Sequence, residues 1–484
     1  MPDQRPLSRE LDQNIDMIRR LSGGSSDVQI NRFTAGTVNC ALISCDGMLS
    51  SQTLAEMVLG PLTGIPPQNG SQELFGYICR YTLLSTDRPT VTDYGTLFRL
   101  IHSGFAVLAA DGADTALAFG IQGYPTRSIQ EPVGEGNIMG SHEGFTESLR
   151  TNMSMLRRRL KTPELVMDMT CKGSLSRTDM CICYMKDRVP EELLRDIRRS
   201  LEEMDSECIL TTGYIRPFLE RRRFELFNTA GTTERPDVLS SKLAEGRVAL
   251  LTDGIPYAIT VPHLFFESFQ TLDDYAHKPI YATFIRWLKY AAFIAAILLP
   301  AVYLAIVMYH PELLNSTLLV LLAEAEREAP LSVVTEAFFA LLMYEVIREA
   351  GVRLPKPTGG AVSIISGLII GDAAVRSGLI STPLLTVTAL AVLGGMVVPE
   401  LDPQITLLRL MFLISGSLFG LFGISLAACV VLSNICATET YGFPYTVPFS
   451  PFVRKGMGDS AIRTGMRKML VRGFTVEDYN EKDK

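Results

Sequence analysis

Residues 248–262 read VALLTDGIPYAITVP, two apolar runs joined at Asp253-Gly254. Apolar runs flanking an Asp-Gly pair predict an antiparallel hairpin. The same plan stands earlier: FAVLAADGADTALAFGI (105–121) turns at Asp111-Gly112. Each closing hairpin has an opening counterpart upstream. Residues 28–61 read as a strand (VQINRF), a turn at Thr34-Ala35-Gly36, a second strand (VNCALISC), then a helix after Asp46-Gly47. Leu54, Met57 and Val58 form that helix's apolar face, and Gly60-Pro61 stops it. Residues 164–204 repeat the order. ELVMDMTCKG and TDMCICYMK form a hairpin, and Pro190 opens a helix with Leu194, Ile197, Leu201 and Met204 on one side. The expectation is two related α/β domains in tandem.

A helix is expected between them. EGFTESLRTNMSMLRRRLK (143–161) sets Leu149, Met153, Leu156 and Leu160 on one stripe, with Gly144 and Thr146 suited to its start. Its Arg157-Arg158-Arg159 run reads as a solvated or domain-facing surface. The chain has a net charge of −7, which argues against nucleic-acid binding here and at Arg221-Arg222-Arg223.

Beyond about residue 285 the character changes. YAAFIAAILLPAVYLAIVMYHP (290–311) holds 22 residues without a formal charge, about 33 Å as a helix and enough to cross a bilayer. Residues 377–399 and the 29 uncharged residues 410–438 qualify as well. A fourth span, SVVTEAFFALLMYEVI (332–347), carries Glu336 and Glu345. Charge at membrane depth is costly, so it should face protein or water. GGAVSIISGLIIGDAA (359–374) reads as a broken or re-entrant helix, and 321–331 as an interfacial stretch. Basic residues flank the first span at Arg286 and Lys289 and follow the last from Arg454 onward, while the loop HPELLNST has none. This predicts four spans with both termini cytosolic. The polar start, MPDQRPLSRELDQN, carries no signal-peptide pattern.

The fold class read from the chain is therefore α/β plus transmembrane α-helical. Its parts are a flexible N-terminus (1–27), a first cytosolic α/β domain (28–142), a linker helix (143–161), a second α/β domain (162–284), a helical membrane domain (285–440) and a cytosolic C-terminal tail (441–484). Nine cysteines show neither a CxxC pair nor zinc spacing with the five histidines. Cys181 and Cys183 share one face of a strand and read as buried core. His263 has no evident Cys or Ser partner in sequence, and neither domain carries a phosphate loop. No cofactor, metal or catalytic residue is expected, and the chain is not read as an enzyme.

Several segments together resemble one family. They are EGFTESLRTN with LRRRLKTPEL (143–165), TERPDVLSSKLAEGRVALLTDGIPYAITVP (233–262), FQTLDDY (269–275), LPAVYLA (299–305), EVIREAGVRLP (345–355), SIISGLIIGDAAVRSGLIS (363–381) and FPYTVPFSPF (443–452). The chain resembles the A subunit of the GerA family of spore germination receptors. Glu143, Gly144, Phe145, Glu147, Asn152, Arg158, Thr233, Glu234, Arg235, Pro236, Asp237, Asp253, Gly254, Asp274 and Tyr275 carry the match. Gly140-Ser141-His142 departs from the family's usual Gly-Pro-Arg and is similar to the related stage V sporulation AF subfamily.

The resemblance implies a multipass protein of the inner spore membrane that senses nutrients with a transporter-like B subunit and a lipoprotein C subunit. It implies homo-oligomerisation through the A subunit into a cation channel, in contact with membrane lipids and without nucleic acid. The residues expected to line the ion path are Glu336, Glu345, Val362, Ile365, Ile369 and Asp372. Carboxylates attract cations, and an apolar constriction closes a pore by dewetting. The alternatives are structural pairing of Glu336 and Glu345 with Arg348, Arg353 or Arg376, a secondary transporter, and a non-conducting membrane scaffold.

Overall fold

Alternation along VNCALISC sets up the first sheet: Ala41 and Ile43 face one side, Cys40 and Leu42 the other, and all four are buried. Both faces must then be covered. The computed structural model describes residues 5–81, 88–121, 123, 135, 140–220, 225–353, 367, 369, 371–454, 456–465 and 476. Helix α1 (Leu11–Leu21) precedes strands β1 (Val28–Ala35) and β2 (Val38–Cys45). Helix α2 (Ser71–Tyr81), β3 (Thr90–Val91), α3 (Tyr94–Ile101), β4 (Phe105–Ala110) and β5 (Ala116–Gly120) follow. The sheet order is β1-β2-β4-β5-β3, and every pairing is antiparallel. Helices α1 and α3 cover the Ile43 face, and α2 lies on the Leu42 face.

The second half repeats this plan. Helix α4 (Leu149–Arg159) precedes β6 (Leu165–Lys172), β7 (Thr178–Met185), α5 (Glu191–Glu202), β8 (Gly231–Thr233), α6 (Pro236–Ala244), β9 (Val248–Thr252) and β10 (Ala258–Val261). The order is β6-β7-β9-β10-β8, again antiparallel throughout. Helices α4 and α6 cover the Cys183 face. Helix α5 and the C-terminal residues Phe443, Val447 and Val453 cover the other.

The repeat extends to individual hydrogen bonds. Asp111 Oδ1 accepts from the Leu11 N–H (3.1 Å), as Asp253 Oδ1 does from Leu149 (3.0 Å). The N–H of Gly112 donates to Arg9 O and that of Gly254 to Glu147 O, both at 2.7 Å. Asn14 exchanges bonds with the Ser8 backbone (2.8 and 2.6 Å), and Asn152 with that of Thr146 at the same lengths. Helix α4 thus stands to the second sheet as α1 stands to the first. One sequence expectation changes. The segment expected to be a flexible N-terminus carries α1, because Leu11, Ile15 and Ile18 recur at helical spacing and are buried. The Arg157 side chain, expected on a solvated or domain-facing surface, faces the first unit and is fully buried. It pairs with Asp27 through Nε (2.6 Å) and Nη2 (2.9 Å), joining the two units.

The helical part begins with α7 (Pro279–Tyr309), followed by α8 (Ser316–Glu328), α9 (Val333–Arg353), α10 (Thr382–Met396) and α11 (Asp402–Ala437). Two stretches reach membrane-crossing length and apolarity among the described residues, Pro279–Tyr309 and Pro399–Ala437. Sequence reading expected four spans and took 410–438 as one of them. That run is instead a hairpin of two helical segments. Gly420 has φ 60° and ψ −145°, a backbone state open almost only to glycine. A Cβ on Gly416 would lie 3.3 Å from the Ile424 side chain, and one on Gly423 would run into Ser415 O. Residues eight apart in a continuous helix are about 12 Å apart. The first segment climbs beside α7: Arg409 Nε donates to Ala296 O (2.8 Å), and Tyr309 packs on Gly420. The second returns, so that Asn434 Oδ1 accepts from the Leu226 N–H (3.4 Å) beside the second sheet.

Candidate functional site

The TERPD segment sits where β8, an edge strand, turns into α6. Pro236 occupies the first turn, where its missing N–H is no loss. Arg235 is buried at the N-cap. Its guanidinium donates to Asp237 (3.1 and 2.7 Å) and to the carbonyls of Glu135 (3.1 Å) and Ser141 (2.8 Å). The Glu234 carbonyl accepts from the Phe145 N–H (2.7 Å). Glu143 pairs with Arg158 (3.2 Å) and Arg159 (2.7 Å). The EGFTE segment, with Gly144 and Phe145 buried, is thereby fastened to TERPD.

The DDY segment holds the foot of α7. Asp274 is 3% exposed and accepts from Arg286 (3.0 Å), itself fully buried, and from Lys289 (3.4 Å). Arg286 also reaches Asp459 (3.0 Å), and the Tyr275 hydroxyl donates to the same carboxylate (2.8 Å). Burial, with the Asp459 charge behind it, pushes the Tyr275 hydroxyl well above its ordinary range. Arg463 donates to Tyr275 O (3.2 Å), so the C-terminal residues are clamped under the helix.

Between the two segments lies a cavity of about 400 Å³. Thr233 and Arg235 line it from the sheet, Lys242 from α6, Tyr275 and Lys289 from the α7 side, and Glu400 from the foot of α11. On one wall Glu267 accepts from Lys242 (2.7 Å), forms an ion pair with Arg247 and lies 3.3 Å from His263 Nδ1. Burial alone would raise this carboxyl, but the Arg247 and Lys242 charges hold it well below the usual range. His263 Nε2 stands 3.2 Å from Ser268 Oγ, so the chain supplies the hydroxyl partner that sequence reading did not find. Glu135, also on the lining, accepts from Thr233 Oγ1 (2.8 Å) and the Glu234 N–H (3.2 Å). Burial pushes Glu135 up to about 7 despite these bonds.

The residues expected to line an ion path do not converge here. Val362 and Ile365 lie outside the described residues. Ile369 is exposed, and Asp372 is exposed and paired with Arg376 (2.8 Å). Glu345 pairs with Arg348 (2.7 Å), which also binds Asp402 (2.8 Å). Glu336 is fully buried. Its Oε1 takes the N–H of Ser381 at the start of α10, and its Oε2 has no hydrogen-bond partner among the described residues. Of the motif residues, Thr233 to Asp237, Asp274 and Tyr275 are brought together at the sheet–helix junction. Glu147, Asn152, Asp253 and Gly254 build the α4 cap instead. Sequence reasoning missed Glu135, Lys242, Arg247 and Glu267. The one signal was Glu267, a charged residue inside the apolar run LFFESF.

The GerA model, described as Bacillus/Clostridium GerA spore germination protein, matches residues 16–473. The chain belongs to the GerA family. It is 35% identical to spore germination protein KA of Bacillus subtilis over 470 residues, 95% of this chain and 86% of that protein. It is 30% identical to spore germination protein GerLA of Bacillus cereus over 450 residues, 92% of this chain and 91% of that one. Among solved structures, the N-terminal domain of the A subunit of the Bacillus megaterium spore germinant receptor GerK3 aligns with 54% of this chain and 98% of its own, at 26% identity and a TM-score of 0.42.

Proposed function

We propose that the chain is the A-type subunit of a nutrient germinant receptor in the inner membrane of the spore. It is a multipass, non-enzymatic protein with both termini in the cytosol. It assembles with further copies of itself, with a transporter-like B subunit and with a lipoprotein C subunit. Its task is to turn germinant occupancy into cation flow. Family membership supports the germination role. The observation that carries the mechanism is the Asp274–Arg286–Asp459 lock, which ties the second sheet unit to the foot of the longest apolar helix. Movement of that unit is thereby passed to the helices without slack. A climbing and returning α11, with α7 climbing beside it, supports a helix count that leaves both chain ends on one side.

Within the helices Glu336 is the strongest ion-path residue, because one of its oxygens is buried and has no hydrogen-bond partner among the described residues. The pairing of Glu345 with Arg348 and of Asp372 with Arg376 favours a non-conducting scaffold as the second reading. Cation leak from liposomes holding the purified protein separates the two, with the oligomer sized in the same sample. On the channel reading, Glu336→Gln changes the leak or its selectivity in an intact oligomer, and Val362→Ala raises it. A flux-silent oligomer under all three sequences sinks the channel.

A further inference from the structure

The cavity at the sheet–helix junction has an imbalance that its motif residues do not explain. Each cation on its walls is already committed. Arg235 is paired with Asp237 (2.7 Å), Lys242 with Glu267 (2.7 Å), Lys289 with Asp274 (3.4 Å) and Arg216 with Glu220 (3.1 Å). Two carboxylates on the walls are not so matched. Among the described residues no cation forms an ion pair with Glu135 or Glu400. Glu135 is held by the Thr233 hydroxyl and a main-chain N–H, while Glu400, an exposed residue, lines the same cavity. On the same walls the Tyr445 side chain is 1% exposed, and its hydroxyl has no hydrogen-bond partner among the described residues. A buried hydroxyl left unsatisfied costs free energy unless something completes it.

Size separates the classes of positive ligand. One water occupies about 30 Å³ of liquid, so a cavity of about 400 Å³ is far larger than a bare monovalent ion needs. It falls in the range of small-molecule pockets, about 300–1,000 Å³. Its walls also carry hydrocarbon, from Val238, Leu272, Val397 and Leu401. An ammonium group on a short carbon skeleton satisfies both features: donors for the carboxylates and apolar surface for the rest.

We infer that this cavity binds a small ammonium-bearing solute, with its charge between Glu135 and Glu400. Occupancy would bridge the sheet side of the junction to the foot of α11, since Glu135 is fastened to TERPD and Glu400 stands in the turn just before the helical hairpin. The site belongs to one chain and stands whether or not the assembly conducts.

The test is saturation-transfer NMR on the full-length protein in lipid nanodiscs, with n-butylammonium as the probe. Butanol and butyrate serve as neutral and anionic controls of similar shape. The expected result is binding of butylammonium that neither control shows or displaces. Glu135→Gln and Glu400→Gln should each weaken it by about tenfold or more, the loss of one charge-assisted bond. Asp114→Asn, which removes an exposed carboxylate of the first unit, should leave it unchanged. Melting curves of all variants are taken in the same buffer. Wild-type protein that binds butanol as well as butylammonium overturns the inference with no variant needed. So does butylammonium binding that survives in both Gln variants, or that falls equally in Asp114→Asn.

Discussion

Asp27 shows how one residue can hold two folding units together. It is buried with Arg157, Ser25 and Cys45 at the seam between the first sheet unit and α4. Burial alone would raise its carboxyl, yet the Arg157 charge and hydrogen bonds bring it from 3.8 down to about 2. A depressed carboxyl stabilises the fold above its unfolded value and loses that contribution as pH falls through the folded one. The window is therefore about pH 4 down to pH 2, and the amount about 2 kcal/mol. Acid unfolding of the detergent-solubilised protein, followed by circular dichroism, should show a shallower acid limb in Asp27→Asn. At neutral pH the same variant leaves Arg157 buried without a counter-charge and should cost about 3–5 kcal/mol in denaturant unfolding. An unchanged midpoint would show the seam to be dispensable.

The hairpin of α11 depends on local backbone chemistry more than on hydrophobicity. Gly420 adopts a conformation that a side chain resists, and its space is filled by the Tyr309 ring 3.1 Å from where a Cβ would stand. The Tyr309 hydroxyl then donates to the carbonyls of Ser417 (2.7 Å) and Leu418 (3.1 Å), acceptors left open by the reversal. Gly420→Ala should lower stability by about 1–3 kcal/mol, from backbone strain, with further cost from the ring contact. Tyr309→Phe should cost about 1 kcal/mol. Thermal unfolding of the two single variants and the double variant measures both. If Gly420→Ala melts with the wild type, the chain continues as one helix and the hairpin is wrong. Gly416 contributes differently: its missing Cβ admits Ala301 O to 2.9 Å, bringing α7 and α11 into backbone contact. Gly367 and Gly371, spaced alike in the sequence, have no atom of the described residues within 4 Å of where a Cβ would be.

At the scale of the whole molecule, the second sheet unit touches the helices through a charged lock and a polar cavity as well as through aromatic packing. Phe227, Phe265 and Phe269 pack against Phe293 and Tyr445 in one cluster at that level. Apolar contact alone lets surfaces slide, whereas paired charges in a buried setting fix one register. Asp274→Asn should loosen this register. Hydrogen exchange should speed up at residues 456–465 and the first turns of α7, while the β6–β7 amides keep their protection. Faster exchange spread evenly over both sheets would mean the variant merely unfolds the protein. The cavity adds a pH dependence of its own. Glu135 titrates near 7, so it is more fully ionised as pH rises through neutrality, and attraction for an ammonium probe should rise with it. Lys242, His263, Glu267 and Glu400 share the cavity, so the profile should be read against Glu135→Gln, which removes the neutral-range step.

The chain by itself determined its periodicities and its family. The two Asp-Gly hairpins, the alternating strands and the long uncharged runs are local signals. Each follows from turn chemistry or from the exclusion of charge from apolar surroundings, and neighbours in sequence suffice to read it. TERPD and DDY were legible only through the resemblance to the GerA family. What they do together was not, because ion pairs such as Arg286–Asp459 join residues far apart in the chain and leave no spacing to recognise. The burial of Arg157, the matching of α1 to α4, the reversal at Gly420 and the two carboxylates facing one cavity were decided only by the tertiary structure. A charge or a glycine takes its meaning from what the fold sets against it, and that partner is chosen by packing in three dimensions.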